Sequence, residues 1–316
     1  MGCGSWSSKD WDTYKVDKGI SSSSKVKDLY KSTALNKTLD PHGVKMRESC
    51  DSDEHPNSNA IILGLDVTGS MGHLAEVIAK GAINTVMTDI MNSESIVDPQ
   101  IMMAAIGDSY YDQAPLQVSQ FESDIRICKE LEKIWFEGGG GGNEGECYSL
   151  LYYFAARHTS IDCMNKRNKK GVIFTIGDEP CVERIPAKHI ESIFGDKIDS
   201  AYISFDNILN EVSKMYNVYH IALPSRWSED KYEDDGVKYW KSKLNERAIK
   251  VSRDDTDHIP KIITATLELQ MGKNLDEITS KMDSSTALVV RDALTNLANV
   301  SSGVPANTSN NELVEF

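Results

Sequence analysis

From residue 60 to residue 267, short apolar runs alternate with segments whose apolar residues recur at helical spacing. That alternation restricts the chain to a small set of folds. Ala60 to Asp66 is a continuous run, the pattern of a strand covered on both faces. Leu74, Val77, Ile78, Ala82, Val86 and Ile90 then share one helical face. Ile101 to Ile106 is a second strand, Leu116 to Phe121 alternates as a short edge strand, and Ile125 to Trp135 reads as a helix. A glycine run, Gly138 to Gly142, precedes an amphipathic helix carrying Cys147, Leu150, Leu151, Phe154, Ala155 and His158. Val172 to Ile176, Tyr219 to Leu223 and Ala248 to Val251 are further strands. Ile259, Ile262, Ile263, Thr266 and Leu267 form the helical face after the last of them. The expected fold is α/β: a doubly wound, mostly parallel sheet with helices on both faces and one short antiparallel edge strand.

Such sheets bind ligands outside the carboxyl ends of their strands. Three of these strands run into an aspartate there: Asp66, Asp108 and Asp178. The first lies in Gly64-Leu65-Asp66-Val67-Thr68-Gly69-Ser70-Met71-Gly72, where a carboxylate and two hydroxyls occupy alternate positions. Alternate residues leaving a strand tip can face one point in space. Carboxylate and hydroxyl oxygens suit a hard ion that keeps several waters, so the cluster points to Mg²⁺ or Mn²⁺ rather than zinc. The bland alternative is that Thr68 and Ser70 only cap the next helix.

Asp66-x-Thr68-x-Ser70, followed by Met71-Gly72 and a helix, resembles the metal-ion-dependent adhesion site of von Willebrand factor A domains. The resemblance covers about residues 59 to 272. It implies a Rossmann-like fold and a divalent ion at the sheet's carboxyl edge. Asp178, in Phe174-Thr175-Ile176-Gly177-Asp178-Glu179-Pro180, matches the family's last loop. The middle loop departs from the pattern. Where a threonine is expected, this chain has Glu137, the glycines, then Asn143-Glu144-Gly145-Glu146. Asn143, Glu144 or Glu146 is left to supply the missing oxygen; Asn143 and Glu146 complete a candidate set of Asp66, Thr68, Ser70 and Asp178. A carboxylate in that loop lowers the charge left on the ion. The resemblance further implies a non-enzymatic adaptor or assembly module, in which an acidic residue of a protein partner completes the metal site.

The first motif also resembles the phospho-aspartate motif of haloacid-dehalogenase-type phosphatases, with Asp66 as nucleophile and Mg²⁺ on the phosphate. Those enzymes need a second aspartate where Thr68 stands, and another where Val182 stands. A third reading is a structural scaffold with a vestigial metal site. The glycine run lacks the Gly-Lys-Ser/Thr ending of a nucleotide loop.

Composition narrows the partners. The chain has 316 residues, is 40% hydrophobic and carries a formal net charge of -14. Phosphate backbones and anionic membrane surfaces repel such a chain, so neither nucleic acid nor membrane is an expected partner. Six cysteines without CxxC or Cys/His spacing suggest buried thiols in a reducing cytoplasm. No run of 18 apolar residues appears, and Trp6 stands where a myristoylation signal needs Ser or Thr. The expected organisation is a polar N-terminal arm (1–58), the α/β domain (59–272), a helical extension (273–299) and a disordered tail (300–316). Residues 47 to 56 read as a solvated linker, lacking the glycine and distal glutamate of a calcium loop.

Overall fold

The computed structural model describes residues 4–21, 31–71, 83–93, 96–139, 145–225 and 234–301. Its central sheet holds β1 (Asn59–Asp66), β2 (Pro99–Ile106), β3 (Leu116–Val118), β4 (Gly171–Gly177), β5 (Tyr216–Ala222) and β6 (Ala248–Lys250). The spatial order is β3-β2-β1-β4-β5-β6. Every neighbouring pair is parallel except β2 and β3. Asp66 pairs with Ile106 on β2, and Leu65 with Ile176 on β4, so the carboxyl ends of these three strands are level. The winding reverses between β1 and β4, which opens a crevice at that edge. Asp66 and Asp178 flank it.

The helices are α1 (Ser8–Lys18), α2 (Ile83–Asn92), α3 (Arg126–Leu131), α4 (Tyr148–Arg157), α5 (Asp162–Arg167), α6 (Ala187–Phe194), α7 (Phe205–Val212), α8 (Asp235–Leu244), α9 (Ile259–Gln270), α10 (Leu275–Thr279) and α11 (Ser284–Ser301). Alternate side chains of each strand enter opposite layers, as the pleat requires. Ile61, Leu63 and Leu65 join one core with α1, α2, α3 and α9 to α11. Ala60 and Ile62 join the other with α4 to α8. Gly64 lets α4 lie close, because an added Cβ would overlap Leu151 and stand 3.0 Å from Ile106 Cδ1. Gly64→Ala is therefore expected to cost about 1–3 kcal/mol, as overpacking does. A urea midpoint equal to that of wild type would contradict this.

Several findings differ from the sequence reading. Residues 47–56 are not a solvated linker. Arg47–Ser49 pairs in parallel with Thr159–Ile161, and Asp51 accepts hydrogen bonds from Arg167 Nη1 (2.7 Å) and Ser58 Oγ (2.7 Å). The arm packs on the domain through its aromatics, in keeping with the sequence: Trp6, Trp11 and Tyr14 are buried in the first core. Residues 184–212 gave no pattern, yet they form an antiparallel ribbon, Arg184–Pro186 with Tyr202–Ser204, followed on each side by α6 and α7. Their strands are three residues long, too short for periodicity to register. Asp234 caps α8, accepting from Val237 N at 3.1 Å. The tail beyond 301 and the helical face expected from Leu74 to Ala82 lie outside the described residues. Cys50, Cys128, Cys147, Cys163 and Cys181 are free thiols. Among the described residues no helix is long and apolar enough to cross a membrane.

Candidate metal centre

β1 delivers Asp66 to the crevice almost fully buried, at 1% exposure. Its Oδ1 accepts from Thr68 N (2.9 Å) and Thr68 Oγ1 (2.6 Å). This is a local turn in which the carboxylate organises the two residues after it. Its Oδ2 accepts from the Tyr148 hydroxyl at 3.1 Å. Tyr148 starts α4 and is fully buried, its ring edge-on to His220 and Trp240. Gly177 makes room for that hydroxyl, since a Cβ there would overlap it and stand 3.1 Å from Asp66 Oδ2. Sequence reasoning missed Tyr148; nothing in its spacing distinguishes a phenol aimed at Asp66 from another core aromatic. Tyr148→Phe is expected to lower stability by about 1–2 kcal/mol at pH 8, where Asp66 is mostly ionised. An unchanged urea midpoint at that pH would contradict the assignment.

Three loops meet beside Asp66. Gly69 N donates to Gly139 O at 3.1 Å, joining the first loop to the middle one. Glu146 N donates to Pro180 O (2.8 Å), and Val182 N to Glu146 O (3.0 Å), joining the middle loop to the last. Glu137 Oε2 accepts from Gln113 N at 2.8 Å, tying in the loop after β2. Trp240, stacked on His220 at 3.7 Å, donates its indole N–H to Glu179 O at 3.0 Å and braces the last loop from α8.

These loops concentrate buried acid. Asp108, Glu146 and Asp178 join Asp66 among the buried residues. Asp108 Oδ1 accepts from Tyr110 N at 2.7 Å, and Asp108 N donates to Asp112 Oδ2 at 2.8 Å. Burial, aided by the charge of Asp178, pushes Asp66 up to about 7 against the donors from Thr68 and Tyr148. Burial and the charges of Asp66, Asp108 and Asp112 push Glu146 up to about 10. Two buried oxygens, Glu146 Oε2 and Asp108 Oδ2, have no hydrogen-bond partner among the described residues. Buried oxygens without donors are the expected mark of an absent counter-charge.

The candidate residues do not all meet. Asp66 and Thr68 touch, and Asp178 and Glu146 are near enough for their charges to act on or be acted on by Asp66. Asp178 is instead bonded to Arg253, whose Nη2 donates to its Oδ2. Among the described residues no three His, Cys, Asp or Glu side chains form a ready-made ion cage. The Ser70 side chain and the whole of Asn143 and Glu144 lie outside the described residues, as do Gly140 to Gly142. Burial pushes the Cys147 thiol up to about 12, so it does not offer a thiolate beside Asp108. The available donors are hydroxyls and carboxylates, and the unpaired oxygens fit a hard divalent cation.

No family model and no curated protein matches the sequence. Solved structures do resemble the chain. The pilus adhesin SpaC from Lactobacillus rhamnosus GG, in its open conformation, matches over 73% of this chain and 31% of its own, at 11% identity and TM-score 0.44. Proximal thread matrix protein 1 from the mussel byssus, with a zinc-occupied MIDAS motif, matches over 70% of this chain and 49% of its own, at 10% identity and TM-score 0.40. The vWF domain of the type V pili tip protein Mfa5 from Porphyromonas gingivalis matches over 69% of this chain and 97% of its own, at 12% identity and TM-score 0.41. The chain thus spans 31% of the adhesin and 49% of the byssus protein. The strand order established above is that of a doubly wound α/β domain with one antiparallel edge strand.

Proposed function

We propose that the chain is a protein-binding module that depends on a divalent cation, Mg²⁺ or Mn²⁺, held at the crevice between β1 and β4. The observation that carries the proposal is the buried Glu146 Oε2, without a hydrogen-bond partner among the described residues, in a crevice that already buries Asp66. Asp66 and Thr68 hold the ion from the first loop, with the Ser70 hydroxyl. Glu146 or Asn143 contributes from the middle loop and Asp178 from the last. The bound ion supplies an open coordination position for an oxygen ligand, here an acidic residue of the partner. Tyr148 orients Asp66, as outer hydrogen bonds do for metal ligands.

The phosphatase reading has less support. Both oxygens of Asp66 accept hydrogen bonds, and the general-acid position holds Thr68, whose hydroxyl is directed at Asp66 itself. Val182, in the place of the second required acid, packs against the core. Chelation separates the readings. A protein recovered on the immobilised chain in Mg²⁺, released by EDTA and not recovered by Asp66→Asn supports the module. Recovery indifferent to both contradicts it. Metal-dependent p-nitrophenyl phosphate turnover that disappears in Asp66→Asn would make the chain a phosphatase.

A further inference from the structure

Arg253 is fixed at two points. Its Nη2 bonds to Asp178 Oδ2, and its Nε donates to Pro224 O at 2.6 Å. It comes from the turn after β6 and reaches past β5 to the end of β4. That turn, Arg253–His258, is capped by Ser252, whose Oγ accepts from Asp254 N at 3.3 Å. Thr256 Oγ1 donates back to Arg253 O at 3.2 Å. The Asp178 side chain is 2% exposed and that of Arg253 25%. This is a held ion pair inside the acidic crevice, unlike a surface pair whose partners wander.

We infer that Arg253 is a resident cation that keeps Asp178 out of direct contact with the metal, and thereby sets the ion's affinity and its number of bound waters. This rests on the metal site proposed above. A carboxylate oxygen that accepts from a guanidinium in a buried pair has its charge already matched. Bonding that oxygen directly to a cation would force two positive charges onto one carboxylate. Asp178 therefore acts across a water, while Asp66, Thr68 and Glu146 remain available. The ion keeps more of its water, and a partner's oxygen can displace that water. Arg253 is the specificity-setting residue that converts a tight cation trap into an exchangeable docking point.

The test is Mg²⁺ calorimetry with Mn²⁺ water-proton relaxation, which counts metal-bound waters. The samples are wild type, Arg253→Gln, Asp178→Asn and the double variant, with Asp66→Ala as control. Arg253→Gln is expected to tighten Mg²⁺ about tenfold and to remove one Mn²⁺-bound water, the size of effect that residues behind metal ligands have. Asp178→Asn should cost wild type less than about threefold but cost Arg253→Gln more than about tenfold, a coupling the cycle isolates. Unchanged or weaker affinity in Arg253→Gln overturns the inference. If that variant does not fold, Asp178→Asn alone decides: a small loss supports the inference, and a loss equal to that of Asp66→Ala overturns it. Binding by wild type that Asp66→Ala abolishes and Arg253→Gln leaves unchanged removes the arginine's role and leaves the metal site standing. Binding by Arg253→Gln alone supports the inference, and no binding by any variant removes both.

Discussion

Asp66→Asn is expected to abolish the response to Mg²⁺ while raising the melting temperature of the metal-free protein at pH 8. The two effects have one cause. At that pH Asp66 is mostly ionised, although burial and the nearby Asp178 disfavour its charge. An asparagine keeps the oxygen that accepts from Thr68 N and loses the charge. Removing a buried charge that lacks its counter-ion stabilises the metal-free fold, by about 1–3 kcal/mol on the scale of such pairs. The same change removes the ionised oxygen that a hard cation requires. Mg²⁺ affinity should fall by about 100-fold or more. Calorimetric scans in EDTA and in Mg²⁺ read both. A metal-free variant that melts lower than wild type, yet still gains stability from Mg²⁺, would contradict the assignment. A site residue whose loss stabilises the protein is the usual signature of function held against stability.

The stabilisation by Mg²⁺ is expected to grow with pH. Asp66 rises from 3.8 in the unfolded chain to about 7 in the fold, and Glu146 from 4.5 to about 10. Both bind a proton more tightly when folded. Without metal they therefore favour the folded state most at low pH, and this advantage is lost as the pH rises from about 4 towards 10. Metal binding takes the deprotonated forms and releases their protons. The slope of log affinity against pH should be about 2 below pH 7, where both protons are displaced, and about 1 above it, where only that of Glu146 remains. Titrations from about pH 6 to 9, in buffers of different ionisation enthalpy, measure the protons released. An affinity flat across that range would mean that neither carboxylate takes part. A slope of about 1 that vanishes above pH 7 would assign Asp66 and exclude Glu146.

Much of the sheet was legible because its strands are covered on both faces. Ile61 to Leu65, Ile101 to Ile106 and Val172 to Ile176 are then almost wholly apolar, with buried Thr175 the one polar side chain, and each run leads into an aspartate at its carboxyl end. Parallel pairing places those ends side by side, so the crevice followed from the runs. The contacts that tune it were not legible. Tyr148 reaches Asp66 across 82 residues and Arg253 reaches Asp178 across 75, and neither has a local pattern that announces its partner. Arg253 opens the short helical turn Arg253–His258, which is too brief to carry a periodic signal. The arm's aromatics stood out, but its polar composition hid α1, because Trp11 and Tyr14 among many charges leave no amphipathic period. The three-residue strands of the ribbon in residues 184–212 fell below the length at which periodicity registers, although α6 and α7 beside them each bury one apolar face.

The central claim is that the crevice between β1 and β4 holds a divalent cation through Asp66. Calorimetric titration of Mg²⁺ into metal-free protein at pH 8, wild type beside Asp66→Ala, tests it most directly. The account predicts one saturable site in wild type, with protons released, and none in the variant. Binding of equal strength in both, or no binding in either the wild-type chain or Arg253→Gln, would contradict it.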